Sequence, residues 1–130
     1  MNIDVLKSDW RGYELLDSGD RLKLERFGDA VVVRSEPKAW WKPSRPDLWK
    51  SADARYFDDE KKDARWVFNK KISAPVMDWN GIKFRTKFMD GTKHLGVFPE
   101  QSPHWKFIAE SGAKFAGGRK PKLLNLFGYT

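Results

Sequence analysis

Residues 13–34 read YELLDSGDRLKLERFGDAVVVR, and this run limits the possible folds more than any other segment. Leu22 and Leu24 alternate with Arg21, Lys23 and Glu25, the period-2 pattern of a strand with one wet face. Val31, Val32 and Val33 are β-branched and continuous, which predicts an inner strand. Ser18-Gly19-Asp20 and Gly28-Asp29 supply a turn on each side of the middle strand. Three short strands joined by tight turns form an antiparallel meander, so the chain must build a sheet.

Beyond the meander the composition changes. SEPKAWWKPSRPDLW, residues 35–49, holds three Pro and three Trp. Pro37, Pro43 and Pro46 remove backbone donors and fix φ, which predicts an ordered loop or a short helix over Pro46–Lys50. Residues 51–65 are polar and carry DDEKKDAR, whose alternating signs predict a solvated turn or short helix. Strands resume at Arg65–Lys71 and Gly81–Met89. In the second, Ile82, Phe84 and Phe88 face one way and Lys83, Arg85 and Lys87 the other. Asp90-Gly91 is a turn signal, with His94–Phe98 as the return strand. Ser102-Pro103 predicts a helix start. That helix places Trp105 and Ile108 on one face and ends near Gly112. Residues 113–122, with Gly117-Gly118 and Pro121, read as a linker.

The last stretch is KLLNLFGYT. Four of the five residues in Leu123–Phe127 are large and apolar, without alternation, as in a strand covered on both faces, and a linker rather than a crossover helix precedes it. It therefore reads as the first strand of a second sheet, and Gly-Tyr-Thr after such a strand commonly opens a nucleotide-binding loop. The expected fold class is α+β. Residues 1–112 form a small, mostly antiparallel β domain with one or two short helices. Residues 113–122 are the linker, and 123–130 start a truncated Rossmann-like α/β domain.

Composition narrows the function classes. Aromatics make up 15% of the chain, with seven Trp, which favours a packed core over disorder. No window approaches 18 uncharged apolar residues, so no membrane span is expected. The N-terminus MNIDVLKSDW lacks the hydrophobic segment of a secretory signal. There is no Cys, which excludes disulfides and thiolate metal sites and fits the cytoplasm. The net charge is +7, and it is uneven. Residues 1–33 carry five basic and seven acidic side chains, residues 34–71 eleven and seven, and residues 72–130 nine and four. A polyanion such as RNA would account for that excess; so would a soluble surface with a cationic bias.

Three stretches together resemble one family. LLNLFGYT resembles the first motif of class I S-adenosylmethionine-dependent methyltransferases, in the branch related to bacterial 23S rRNA (cytosine-C5) methyltransferases. WNGIKFRTKF and KHLGVFPEQSPHW resemble the segment upstream of that motif. GYELLDSGDRLKLERFGDAVVVRSEPKAWWKP resembles the β-rich N-terminal domain of many bacterial proteins of this kind. The resemblance implies a cofactor, S-adenosylmethionine. It also implies that Asn125, Phe127, Gly128, Tyr129 and Thr130 form the near wall of its site, with Phe98, Pro99, Glu100 and Gln101 lining the same cleft. Relatives acting on RNA cytosine often read Asp-Gln-Arg where this chain reads Glu100-Gln101-Ser102, so that Arg is absent.

Other candidates each have two readings. Lys83, Arg85 and Lys87 form a cationic stripe at roughly phosphate spacing, or an ordinary wet strand face; Lys93 and Lys106 could extend it. Trp40, Trp41 and Trp49 could stack on unpaired bases or stabilise an irregular loop by burial. His94 and His104 stand ten apart without clustered acids, so no metal site is expected. Glu100 could act as an acid or base beside the cofactor, or cap the following helix. The expected function is the N-terminal, substrate-recognising part of a methyltransferase acting on RNA, inactive by itself and able to form a homo-oligomer. The alternative is a stand-alone β-rich module that binds RNA or protein without catalysis.

Overall fold

The computed structural model describes residues 5–58, 63–115, 117–120 and 122–126. The chain divides into two compact units: Trp10–Val97, and Met1–Asp9 together with Phe98–Thr130. The fold class is α+β, a mostly antiparallel sheet with one α-helix among the described residues.

The larger unit is built on β1 (Tyr13–Gly19), β2 (Leu22–Phe27) and β3 (Ala30–Ser35), the meander its alternation and turns predict. The first turn falls at Asp20-Arg21, both at positive φ (49° and 63°), the geometry whose twist suits a two-residue hairpin. β3 is the centre of a five-stranded sheet ordered β1-β2-β3-β4-β5, as its valine run requires. β4 (Ala54–Phe57) pairs parallel to β3, and β5 (Arg65–Phe68) pairs antiparallel to β4.

The parallel step explains the Pro/Trp segment. Two parallel neighbours cannot be joined by a tight turn, so the chain needs a crossover of a dozen residues or more. Residues 36–53 are that crossover. It includes a 3-10 helix at Pro46–Ser51, and Leu48, Trp49 and Ala52 pack onto Leu22, Leu24, Val31 and Val33. β4 corrects the expectation of a solvated turn over 51–65. Ala54 and Tyr56 are buried and alternate with exposed Arg55 and Phe57, a four-residue strand too short to stand out beside DDEKKDAR.

The opposite face carries the second correction. Glu25 was expected on a wet face, yet it is 1% exposed. Here β2 is covered on both sides. Phe27, Val32, Tyr56 and Trp66 form this inner layer with Phe88, whose ring lies 4.9 Å from that of Trp66. Trp66 Nε1 donates to the Thr92 carbonyl at 3.1 Å, and Gly91 N to the Ala64 carbonyl at 2.7 Å.

A two-stranded sheet, β6 (Val76–Trp79) with β7 (Ile82–Arg85), completes the unit. Its turn is Asn80-Gly81, at φ 50° and 82°. The strand expected over Gly81–Met89 therefore pairs backwards, with Val76–Trp79. Residues 94–98 form no return strand; after Asp90-Gly91 there is one isolated bridge, Met89 to Thr92. Asn-Gly is a stronger hairpin signal than Asp-Gly alone because both residues tolerate positive φ.

In the smaller unit a 3-10 turn at Pro99–Gln101 leads into α1, Ser102–Phe115. The helix runs past Gly112, where its end was expected. A single Gly weakens a helix by about 1 kcal/mol and does not terminate it without a left-handed cap. The strand expected at Leu123–Phe127 is also corrected. Residues 122–126 form no strand, and Phe127 lies outside the described residues. A strand has no stability without ladder partners, and none pairs with these residues among those described.

Candidate functional site

The expected cofactor residues fall in the smaller unit. Pro99 opens the 3-10 turn and is fully buried, while Glu100 and Gln101 are exposed. The turn is held from below: Ser8 Oγ donates to the Pro99 carbonyl at 2.8 Å, and Asp9 N donates to Ser102 Oγ at 3.4 Å. Ser102 is therefore a buried tether, with its hydroxyl also 3.3 Å from Ser8 Oγ. Gln101 Oε1 meets His104 Nδ1 at 3.1 Å. Phe98 is half-buried and Asn125 is exposed. Phe127, Gly128, Tyr129 and Thr130 lie outside the described residues. The same unit exposes apolar side chains: Phe107 (68%), Phe115 (88%), Leu123 (69%), Leu124 (81%) and Leu126 (69%).

The cationic stripe lies in the larger unit. Lys83 and Arg85 on β7, and Lys87 just beyond it, are exposed, while Phe84, Thr86 and Phe88 between and after them turn inward. Thr86 fixes this alternation by donating from N and Oγ1 to the Pro75 carbonyl, at 3.0 and 2.7 Å. Lys87 N donates to the Leu95 carbonyl at 3.0 Å. Across the hairpin, Asp78 stands opposite Lys83 and Val76 opposite Arg85, so one acid interrupts the stripe. Lys93 is placed differently: its Nζ donates to the Ser35 carbonyl and Oγ at 3.0 and 3.1 Å.

Among the described residues three carboxylates are buried, Asp17, Glu25 and Asp53; none was anticipated, and the first two gather clusters of donors. Arg34 grips Glu25 through Nε–Oε2 and Nη2–Oε1, at 2.6 and 2.7 Å. Tyr13 Oη donates to Glu25 Oε1 at 2.9 Å, and Lys23 Nζ stands 3.5 Å away. Burial pushes the Glu25 carboxyl up, but hydrogen bonds and charge from Arg34, then Lys23 and Tyr13, outweigh it and hold the group below its ordinary value. Asp17 accepts hydrogen bonds from Ser18 N, Ser44 N, Ser44 Oγ, Arg45 N and Trp49 Nε1, at 2.8 to 3.3 Å. Burial opposes its charge, yet the donors, led by Trp49, hold its carboxyl far below the usual range. Neither cluster involves the expected cofactor residues; both organise the larger unit.

The tryptophans separate. Trp49 is half-buried on the Asp17 carboxylate. Trp40 and Trp41 are 77% and 58% exposed, which removes burial as the reason for them. A cleft of about 540 Å³ lies beside the β2–β3 turn, lined by residues 28–30, 70 and 72–76; its Lys70 is ion-paired with Asp53 at 2.6 Å. Among the described residues no three His, Cys, Asp or Glu side chains gather as a metal site would need, and no helix is long and apolar enough to cross a membrane.

No family profile matches the sequence, and no protein of curated function matches it. Among solved structures the chain is similar to a SAM-dependent methyltransferase from Agrobacterium tumefaciens, with 38% identity and a TM-score of 0.82. The match covers 94% of this chain and 39% of that one, so the chain spans well under half the length of the protein it resembles.

Proposed function

We propose that this chain is the N-terminal part of an S-adenosylmethionine-dependent methyltransferase that acts on RNA, in the branch related to bacterial 23S rRNA (cytosine-C5) methyltransferases. The observation that carries the proposal is the 38% identity, at a TM-score of 0.82, to a methyltransferase of which the chain covers 39%. The smaller unit supports it. Phe107, Phe115, Leu123, Leu124 and Leu126 are exposed, as they would be where the rest of such a protein covers them.

S-adenosylmethionine, when bound, supplies a methyl group carried on a sulfonium. The described candidates have suitable chemistry for holding it. Glu100 offers an acceptor for an ammonium or ribose hydroxyls, and Gln101 and Asn125 offer amides. All three are exposed. Phe98, half-buried, supplies an apolar edge, while Pro99 is buried and fixes the turn that carries Glu100 and Gln101. Phe127, Gly128, Tyr129 and Thr130 complete the wall in this reading, with Gly128 letting the backbone approach closely. Methyl transfer is mostly a matter of aligning acceptor, methyl carbon and sulfur, and the larger unit would hold the RNA for that alignment. Lys83, Arg85 and Lys87 contact phosphates; Lys93, held on Ser35, adds to the local field. The chain by itself is inactive, and its setting is the cytoplasm.

The longer protein, incubated with labelled S-adenosylmethionine and separately with RNA, DNA and protein, is expected to label RNA alone. Label in protein or DNA would retire the RNA assignment, and no transfer to any of the three would retire the methyltransferase reading. Calorimetric titration of the 130-residue chain with the cofactor is expected to show no low-micromolar binding. Replacing Lys83, Arg85 and Lys87 together by Ala is expected to weaken RNA binding evenly across sequences. The salt dependence should fall by about one unit of slope per cation lost; an unchanged slope would remove the stripe from the interface.

A further inference from the structure

We infer that the Trp40–Trp41 loop is a stacking platform for unpaired bases of single-stranded RNA, which deepens the proposed RNA reading and rests on it. Two adjacent tryptophans at 77% and 58% exposure are an unusual feature of a surface that must stay soluble. Their polar edges are already occupied. Trp40 Nε1 donates to the Pro37 carbonyl at 2.7 Å, and Trp41 Nε1 to the Ser18 carbonyl at 2.9 Å. The ring face is left for a partner, and a base is recognised through its own π-face.

The loop is held before any partner arrives. Asp20 N donates to the Trp41 carbonyl at 2.8 Å, Arg21 N to the Ala39 carbonyl at 2.7 Å, and Glu36 N to the Arg21 carbonyl at 2.8 Å. Ala39 beneath them is fully buried. Asp17 clasps the next stretch through Ser44 and Arg45. The loop also lies against Gly19, where a Cβ would stand 2.4 Å from Pro43 N. A platform fixed in this way loses little conformational entropy on binding.

Charge selects the occupant. Arg21, Lys38, Lys42 and Arg45 are exposed on this loop and the adjoining turn. The acids among them are engaged: Asp20 pairs with Lys42 at 3.0 Å and Glu36 with Lys23 at 3.7 Å. An apolar protein partner has no use for a cationic surround. Single-stranded nucleic acid presents flat bases and phosphates together, the pair of features that aromatic platforms in basic surfaces engage.

The test is fluorescence anisotropy of the 130-residue chain with a labelled single-stranded RNA of about 12 nucleotides, and with the same sequence as a duplex. The single strand is expected to bind more tightly. Trp40→Ala and Trp41→Ala should each weaken it by roughly 5- to 100-fold. Trp40→Phe and Trp41→Phe should keep most of the affinity, since a ring face remains, and all four variants should keep the parent circular dichroism spectrum. Unchanged affinity in both alanine variants, or equal binding of the duplex, overturns the platform while leaving the RNA reading in place. The platform also fails if the alanine variants only disperse a dimer seen by sedimentation. No RNA binding by the parent chain overturns both readings.

Discussion

A chain carrying Arg34→Met is expected to lose about 3–5 kcal/mol of stability, because it leaves a buried carboxylate without its bidentate partner and with only Lys23 nearby, 3.5 Å away. Arg34 and Glu25 side chains are 7% and 1% exposed, and Nε–Oε2 is 2.6 Å. Arg34 Nη1 also donates to the Lys93 carbonyl at 3.2 Å, and its guanidinium lies over the Phe27 ring at 5.2 Å. The substitution thus removes three hydrogen bonds, a charge and a packed plane. Urea unfolding measures the loss, and a value below about 1 kcal/mol would mean that Glu25 finds other compensation. Glu25→Leu with Arg34→Met should recover much of the loss, since a buried pair replaced by apolar groups is often neutral.

The pH dependence gives a sharper signature. With Arg34 present, the folded Glu25 carboxyl lies below its ordinary value of 4.5, so its contribution is complete above that pH and is lost as pH falls. In Arg34→Met, burial has less to oppose it. The folded value then rises above the unfolded one, and stability should decline as pH increases through that range. The sign of the slope near neutral-to-acid pH distinguishes loss of a charge partner from loss of packing alone.

Asp17→Ala should have the second-largest effect, about 3 kcal/mol or on the order of 10 °C in Tm. The five donors of Ser18, Ser44, Arg45 and Trp49 converge on one carboxylate at the seam between β1 and the crossover. Removing it leaves part-buried N–H groups without an acceptor, which costs more than the bonds themselves contributed. The folded Asp17 carboxyl lies far below its ordinary value of 3.8. Its contribution is therefore complete above that pH and fades as pH falls toward the folded value. The parent should show an acid limb beginning below about pH 4.5, and Asp17→Asn should shrink it to the part that Glu25 supplies. A variant with parent Tm would mean that the crossover is held by its apolar contacts to Leu24 and Val33 alone. If Asp17→Ala also weakens single-stranded RNA binding more than its stability loss explains, the clasp positions the tryptophans.

Much of the fold was legible, and the legible parts share a property. A turn near Ser18-Gly19-Asp20, which falls one residue later at Asp20-Arg21, the turn at Gly28-Asp29, the valines of β3 and the start of α1 at Ser102-Pro103 depend on neighbours a few residues away. Asn80-Gly81 is equally legible, but giving the turn to Asp90-Gly91 hides it. The candidate site was less so. The alternation in Ile82–Phe88 put Lys83, Arg85 and Lys87 on one wet face, as observed. It could not show that Lys93 would be drawn to Ser35, 58 residues earlier in the chain. Nor does any local pattern say which of three tryptophans is left in water: Trp49 is kept by Asp17, 32 residues away, while Trp40 and Trp41 are not covered.

By itself, then, the sequence determined a sheet-forming meander, a cationic bias, a helix starting at Ser102-Pro103 and a resemblance to methyl-transferring proteins. Each is a matter of side-chain chemistry read over a short window. Only the tertiary structure decided that β4 runs parallel to β3, that the Pro/Trp stretch is the crossover this demands, and that the wet face of β2 is covered. Period-2 alternation tells which side of a strand a residue occupies, but whether a second layer lies there depends on segments distant in sequence. Glu25 could be enclosed only because Arg34 on the next strand arrived diagonally across from it with a matching charge.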